Sequence, residues 1–262
     1  MKPNHPLLSI TTLVLALSLT LPEWARADDW NLEFGGGVLV MDPPWKGMPT
    51  QHQSLPYVRA EYGRWRLGVQ YGLFQYRLTP AEWPVDVGIG LDYRDEVYES
   101  LFYSDDDLSD DPVFEGYDSP NGEGVVRLDL RWQDLVVRLR QDVTDQSGAA
   151  SGEISYLHPV YQGAKGFQVR LGGGVVWKDR EYSRYLYGIE GDNIDRSVGR
   201  YPYLPDDALN YVASMQVIYP FNQQWALSAH AHYEWLDETV SDSPLVGQDG
   251  LGRFMLFLTY RP

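Results

Sequence analysis

No cysteine occurs among the 262 residues, so the chain can form neither a disulfide bond nor a thiolate metal site. Basic residues are also few: the chain has 21 lysines and arginines and 37 aspartates and glutamates, which gives a formal net charge of −16. Nucleic-acid binding needs basic patches that displace counterions from phosphates, so this charge excludes nucleic acid as a partner. Beyond Asp28 no apolar run reaches the length of a transmembrane helix. Stability must therefore come from a core, a bilayer or a partner.

The first 27 residues have the pattern of a secretory signal peptide. Lys2 precedes the apolar run PLLSITTLVLALSLTL, and Ala25–Ala27 forms a small-x-small cleavage site before Asp28. The run is shorter than the roughly 20 residues of a membrane span, and it ends at Pro22 and Glu23. We therefore expect a cleaved signal peptide at 1–27 and a single exported domain at 28–262.

Apolar and polar residues alternate along most of the remaining sequence, which is the pattern of strands with two different faces. In VVRLDLRW, apolar side chains alternate with Arg127, Asp129 and Arg131. Such segments run for about ten residues and end in tryptophan or tyrosine, as do tilted strands that cross a bilayer between aromatic belts. A water-soluble sandwich also alternates, but its strands are shorter. The pattern predicts an all-β fold, a single closed antiparallel transmembrane β-barrel of the outer membrane.

Twelve strands are predicted, near residues 30–40, 55–62, 64–74, 84–93, 96–103, 123–132, 135–143, 151–160, 167–177, 207–218, 224–236 and 250–261. An even number places both chain termini in the periplasm, with short turns there and long connections outside, at 41–54, 104–122, 178–206 and 237–249. The strand at 96–103 is inferred from this parity alone. The acidic run SDDDLSDDP is expected to be a mobile, solvated part of an outer loop.

Five tyrosines occur in residues 179–206, among charged and turn-forming residues and without an apolar run typical of a core helix. Tyr182, Tyr185 and Tyr187 recur at spacings of three and two, so no single strand face holds all three. Gly188 admits the backbone angles of a chain reversal. We expect these four residues to order the segment as a turn that folds back over the barrel mouth.

Two motifs carry a family resemblance. WKDREYSRYLYGIE matches a tyrosine-rich YxxYxxG[IV] pattern, and SPLV, which begins with Ser243 and Pro244, matches a late SP[LI]V pattern. With LPYVRAEYGRWRLG and RQDVTDQSGAASGEISYLHPV in family order, the sequence resembles the MipA/OmpV family of Gram-negative outer-membrane proteins over nearly all of the mature chain. The terminal Pro262 departs from the aromatic residue with which members commonly end.

The resemblance implies a non-enzymatic protein of the Gram-negative outer membrane that contacts lipid and lipopolysaccharide and needs no cofactor. The family's named role is interaction with a membrane-bound lytic transglycosylase, MltA, in a scaffold that also holds a bifunctional murein synthase. We therefore expect a scaffold that links the outer membrane to enzymes of murein (peptidoglycan) remodelling. The motifs assign no catalytic residue.

A charge cluster is predicted on the lumen face of the strands, and its members are Arg127, Asp129, Arg131, Arg138, Arg140 and Arg170. One interpretation is a narrow pore that favours anions, since twelve strands lie between side-chain-filled small barrels and open porins. The other is a plug, in which acidic lumen residues compensate the arginines because buried charges must be paired. The sequence leaves both open and favours the plug.

One strand also carries residues of the types used by outer-membrane hydrolases or acyltransferases and by metal sites: Ser228, His230, His232 and Glu234. Side chains two apart on a strand lie about 7 Å from each other, whereas a nucleophile and its base need roughly 3 Å. Either site would require further residues from a neighbouring strand. We therefore expect neither catalysis nor a metal ion here.

Overall fold

The computed structural model describes residues 30–103 and 108–262 and arranges the twelve strands of these ranges in one closed antiparallel barrel. Each strand pairs with its neighbours along the chain, and β1 pairs with β12 to close the wall. The strands are β1 (Trp30–Met41), β2 (Gln51–Tyr62), β3 (Trp65–Gly68), β4 (Gly72–Arg77), β5 (Val85–Arg94), β6 (Glu123–Trp132), β7 (Leu135–Asp142), β8 (Ala150–Gln162), β9 (Gln168–Lys178), β10 (Ala208–Pro220), β11 (Trp225–Trp235) and β12 (Gly250–Tyr260). The predicted fold class is confirmed, whereas the signal peptide expected at 1–27 lies outside the described residues.

Eleven connections join the strands. One end of the barrel carries 69–71, the three-residue tip of the β3–β4 hairpin, and five connections of seven or more residues, which we call the long connections: 42–50, 95–122, 143–149, 179–207 and 236–249. The other end carries the short turns, none longer than seven residues: 63–64, 78–84, 133–134, 163–167 and 221–224. They contain the helices α1 (Arg180–Tyr187) and α2 (Glu238–Ser241) and the 3-10 turns Pro112–Phe114, Ala164–Gly166 and Gly191–Asn193. Within the described ranges, every helix is too short or too polar to cross a membrane. In outer-membrane barrels the long connections are extracellular and the short turns periplasmic.

The strand predicted at 96–103 is wrong, although the total of twelve is right. The Asp95 carboxylate accepts hydrogen bonds from the Ser100 hydroxyl at 3.0 Å and from the Leu101 amide at 2.8 Å, and these bonds hold the segment in turns. The missing strand is replaced where the predicted strand 64–74 divides into the short hairpin of β3 and β4. Gly68 and Gly72 flank its tip with φ of 105° and 78°, a conformation that favours glycine.

The two faces of the wall differ as the alternation predicts. On β6, Leu128 and Trp132 point outward and are 39% and 48% exposed, while Arg127 and Asp129 point inward and are nearly inaccessible. Aromatic side chains pair at the barrel ends: Trp225 and Tyr260 lie 4.9 Å apart between ring centroids near the short turns, and Tyr233 and Trp235 lie 4.8 Å apart near the long connections. These pairs have the positions of the two interfacial belts.

Candidate functional site

Side chains from all five long connections meet in one hydrophobic cluster, which we call the loop cluster. Its buried members are Trp45, Met48, Val97, Tyr98, Val113, Phe114, Tyr117, Ala149, Tyr182, Leu186, Tyr187, Ile189, Ala208, Val240, Leu245 and Val246. The five connections leave the barrel rim at different points around the wall. A cluster that joins all of them must therefore lie across the barrel mouth.

The tyrosine-rich segment enters this cluster as helix α1 and not as the expected turn. Asp179 begins the helix, and its carboxylate accepts a hydrogen bond from the Tyr182 amide at 2.8 Å. Tyr182, Leu186 and Tyr187 lie on one face of the helix and are almost fully buried. Their spacing of four and five residues from Tyr182, preceded by an aspartate, is the helical signal that a search for long apolar runs misses.

Each tyrosine of the motif has a different contact. The Tyr182 ring lies 3.5 Å from the guanidinium carbon of Arg94, which projects from the top of β5. Tyr187 packs against Trp45 with ring centroids 5.6 Å apart, and it is 2% exposed. The Tyr185 hydroxyl donates a hydrogen bond to the Asn121 carbonyl at 2.7 Å. The loop-ordering role predicted for these tyrosines agrees with these contacts and stays a prediction.

Gly188 ends the helix for another reason than the one inferred from the sequence. Its φ is −73° and its ψ 150°, which any residue adopts, so it makes no reversal that requires glycine. A side chain at this position would instead collide with the carbonyl oxygen of Arg184, the acceptor of the Gly188 amide. Close approach of the backbone, and not a left-handed conformation, therefore favours glycine here.

The two family-motif segments contact each other. The Ser243 hydroxyl donates a hydrogen bond to the Tyr187 carbonyl at 2.8 Å, and both residues are buried. Pro244 is half-buried, and the carbonyl of buried Leu245 next to it accepts from the Lys46 amide at 2.9 Å. Motifs separated by more than fifty residues thus meet in the loop cluster, together with the first long connection.

Arg200 joins two long connections from a buried position. Its guanidinium donates to the carbonyls of Val113 at 2.5 Å and Glu115 at 2.8 Å in 95–122, and to that of Asn193 at 2.7 Å in its own segment. Near the acidic run, Asp111 accepts from the Val113 amide at 3.0 Å. The mobility expected for that run stays a prediction, and the part at 104–107 lies outside the described residues.

Burial changes the acidity of the phenols in the loop cluster. It raises the pKa of Tyr182 and Tyr187 well above the ordinary value, because an apolar surrounding disfavours the phenolate. Burial also raises the pKa of Tyr103, which packs against the cluster, to about 12. The cluster is therefore built for neutral tyrosines.

The predicted charge cluster lies in the lumen below the loop cluster, and Asp129 is its centre. The Asp129 carboxylate accepts from Arg127 at 2.9 Å and from Arg138 at 3.0 Å, and Arg131 lies 3.9 Å away. Gln75 of β4, which is separated from β6 by β5, also donates a hydrogen bond to the Asp129 carboxylate at 2.5 Å. These contacts run along one side of the lumen wall, from β4 to β7, and pair the charges as the plug hypothesis expects.

Two arginines of the predicted cluster stand apart from this network. Arg140 and Arg170 form no ion pair within 4.0 Å with any described residue. The Nε atom of Arg170 is removed from solvent and has no hydrogen-bond partner in the described part of the chain. The six predicted positions thus separate into a paired group around Asp129 and two guanidinium groups that form no ion pair with the described residues.

The histidines of β11 contact polar neighbours. The Gln216 amide nitrogen lies 3.3 Å from His230 Nε2, and the Ser214 hydroxyl lies 3.3 Å from His232 Nδ1. Glu234 lies 3.9 Å from His232 and accepts from Asn210 at 2.5 Å. No group of three potential metal ligands is found among residues 30–103 and 108–262. The serine in contact with His232 is Ser214 of the neighbouring strand, and Ser228, the serine considered from the sequence, makes no side-chain hydrogen bond to a histidine among the described residues.

Sequence comparison supplies the family. The profile of the family described as "MltA-interacting protein MipA" matches residues 34–262, which include most of β1, the other eleven strands and both motifs. The chain belongs to this family. Membership agrees with the barrel and with the outer-membrane location of its relatives, and it confirms the resemblance carried by the tyrosine-rich and SPLV motifs.

Three named relatives match at low identity, two of them over most of the chain. A protein of Escherichia coli K12 named "Putative outer membrane protein YiaT" is 26% identical over 251 residues, covering 92% of this chain and 95% of that protein. The E. coli K12 "MltA-interacting protein" is 23% identical over 236 residues, 88% of this chain and 90% of that protein. "Outer membrane protein OmpV" of Vibrio cholerae is 21% identical over 145 residues, 50% of this chain and 55% of that protein.

Structure comparison gives distant matches to two solved proteins. A FadL homologue of Pseudomonas aeruginosa covers 90% of this chain and 91% of its own, with 10% identity and a TM-score of 0.41. OprB of Pseudomonas putida covers 80% of this chain and 59% of its own, with 10% identity and a TM-score of 0.36.

Proposed function

We propose that this protein is a non-conducting, non-enzymatic scaffold of the outer membrane, whose periplasmic end binds an enzyme of murein remodelling. The observation that carries this proposal is the loop cluster. It joins all five long connections at the mouth of the barrel, which supports an outer end that is closed to solute. The name of the E. coli relative, "MltA-interacting protein", supports a lytic transglycosylase as the partner class.

The short turns are the surface that such a partner can reach. The turn 163–167 presents Lys165 at φ 60°, and the longer turn 78–84 carries Trp83, which is 60% exposed. Exposed aromatic side chains are enriched where proteins bind one another. The extracellular loop cluster faces away from murein, so we assign it a structural role.

Crosslinking in whole cells tests this proposal. A photoreactive residue at Lys165 should capture a periplasmic or lipid-anchored murein enzyme. The matched control is the same probe at Tyr201, which is 55% exposed in the long connection 179–207 and should not capture that enzyme. Capture of the same proteins from both positions, or of no murein enzyme from Lys165, would refute the scaffold.

Planar-bilayer recording tests the closed mouth separately. The purified barrel should insert without stepwise conductance, because the loop cluster blocks the outer end. Regular conductance steps from the unmodified protein would favour the narrow pore instead. The two experiments test separate parts of the proposal. Conductance steps would contradict the closed mouth whatever the crosslinking captures, and failure to capture a murein enzyme from Lys165 would contradict the partner even if the barrel does not conduct.

A further inference from the structure

A cavity of about 540 Å³ lies in the lumen beneath the loop cluster. Its lining runs from Gln133 and Asp134, in a short turn, to His232 higher on β11. The cavity therefore reaches the periplasmic end of the barrel, while the loop cluster covers the other end. A volume of this size is typical of sites for small molecules.

The charges on the cavity wall are unequally compensated. Arg138 is paired with Asp129 at 3.0 Å and with Glu153 at 2.6 Å. Arg131 donates to the Gln70 carbonyl at 3.0 Å. Arg170 has neither an ion pair nor a hydrogen bond among the residues that the structure describes, and its Nε atom is shielded from solvent.

The strand neighbours of Arg170 cannot supply the missing charge. In the barrel register Arg170 lies between Pro159 of β8 and Gln216 of β10, and neither residue is acidic. The nearby lumen carboxylate of Glu153 is held by Arg138, and Asp134 is 2.7 Å from His158. An uncompensated guanidinium in a low-dielectric wall is costly, so an anion from solution would be stabilised beside it.

Polar groups suited to hold such an anion surround Arg170. The Gln216 amide and the His230 ring lie 3.3 Å apart and line the same cavity as Arg170. A guanidinium binds carboxylate and phosphate oxygens with two parallel hydrogen bonds, and an amide can add a third donor. We propose that this cavity is a periplasm-facing binding site for the phosphate or carboxylate group of a small polar solute, with Arg170 as its principal anion ligand.

Isothermal titration calorimetry on the purified, folded barrel tests the site, with inorganic phosphate and citrate in separate titrations at low salt. The parent protein should bind at least one of them, and binding should weaken as chloride screens the charge. Stronger binding of phosphate would indicate a phosphorylated solute, and stronger binding of citrate a carboxylate. If neither anion binds to the parent protein, the proposal is overturned.

The variant Arg170→Gln should bind the anion with an affinity at least about tenfold lower, because it loses one strong charge-assisted contact. The matched control is Arg77→Gln, because Arg77 is outside the cavity and its partner Asp86 stays paired with Arg66 at 2.8 Å. The control should bind like the parent. Equal loss in both variants, or unchanged binding in Arg170→Gln, would contradict the assignment.

Heat-modifiable gel migration verifies that each variant is folded. If Arg170→Gln does not fold, Arg170→Lys retains the charge but lacks the planar pair of donors, and its affinity should be reduced without being lost. An Arg170→Lys barrel with parental affinity for both anions would exclude the two-point contact that the proposal requires.

Discussion

Replacing Tyr187 by alanine should open the loop cluster without unfolding the barrel wall. Tyr187 is 2% exposed, packs against Trp45 and supplies the carbonyl to which Ser243 donates. Truncation of a buried aromatic side chain to alanine costs about 3–5 kcal/mol. The strands keep their own hydrogen-bonded neighbours, so the loss falls on the segments that meet in the cluster.

Limited trypsin digestion measures this opening. Arg200 is 2% exposed, so cleavage after it requires the segment 179–207 to leave the cluster. When opening is fast relative to cleavage, the rate follows the population of the open form, so a loss of about 3 kcal/mol predicts a rise of about a hundredfold. Mass spectrometry of the new fragment that begins at Tyr201 gives the rate.

Two variants serve as controls. Tyr187→Phe keeps the ring against Trp45 and should be cut at about the parental rate. Leu204→Ala removes an exposed side chain from the same segment, away from the cleaved bond, and should also have little effect. If Tyr187→Ala is cut after Arg200 no faster than these two proteins, the buried ring does not hold the loop and the reasoning is wrong.

Two further predictions concern charge. Asp129→Asn leaves the arginines around it without their shared carboxylate, so the barrel should unfold at a lower temperature, as measured by its gel migration. The control Glu153→Gln removes a more exposed carboxylate with one partner and should lower the unfolding temperature less. Equal shifts in the two variants would contradict the central role of Asp129. Burial raises the pKa of Tyr103 in the folded protein to about 12, whereas an exposed tyrosine has a pKa of about 10. The neutral tyrosine therefore contributes its full stabilisation below about pH 10, and this stabilisation is lost as the pH rises towards the folded value. Phenolate absorbance should therefore lag behind that of a denatured chain until the loops open, and a titration that superimposes on the denatured one would disprove the burial.

The sequence by itself determined the barrel. Apolar and polar residues must alternate in a strand that has one face to lipid and one to the lumen. Segments such as VVRLDLRW therefore identify both the strand and the direction of its side chains. The inward direction of Arg127 and Asp129 follows from that period alone, as do the short turns at Gln133 and in 163–167. The ordered motifs around Tyr182 and Ser243 were enough to indicate the family.

Local contacts decided what alternation could not. Residues 96–103 contain strand-forming side chains, but the Asp95 carboxylate binds the Ser100 hydroxyl and the Leu101 amide, which competes with a ladder. The requirement for an even number gave the correct total from strands that were partly wrong. The predicted strand 96–103 does not form, and the predicted strand 64–74 forms two strands, so the two errors cancel. An even number constrains the total and not the location of the turns.

Only the tertiary structure decided how the long connections fold. Helix α1 has a single short apolar face, and short helices are marginal unless that face is buried. The surface that buries it comes from Trp45, Leu245 and other residues far along the chain, which the barrel brings to one rim. In the same way, Arg127 is paired and Arg170 is not because register and shear set which carboxylates each can reach, and those distances have no signature in the local sequence.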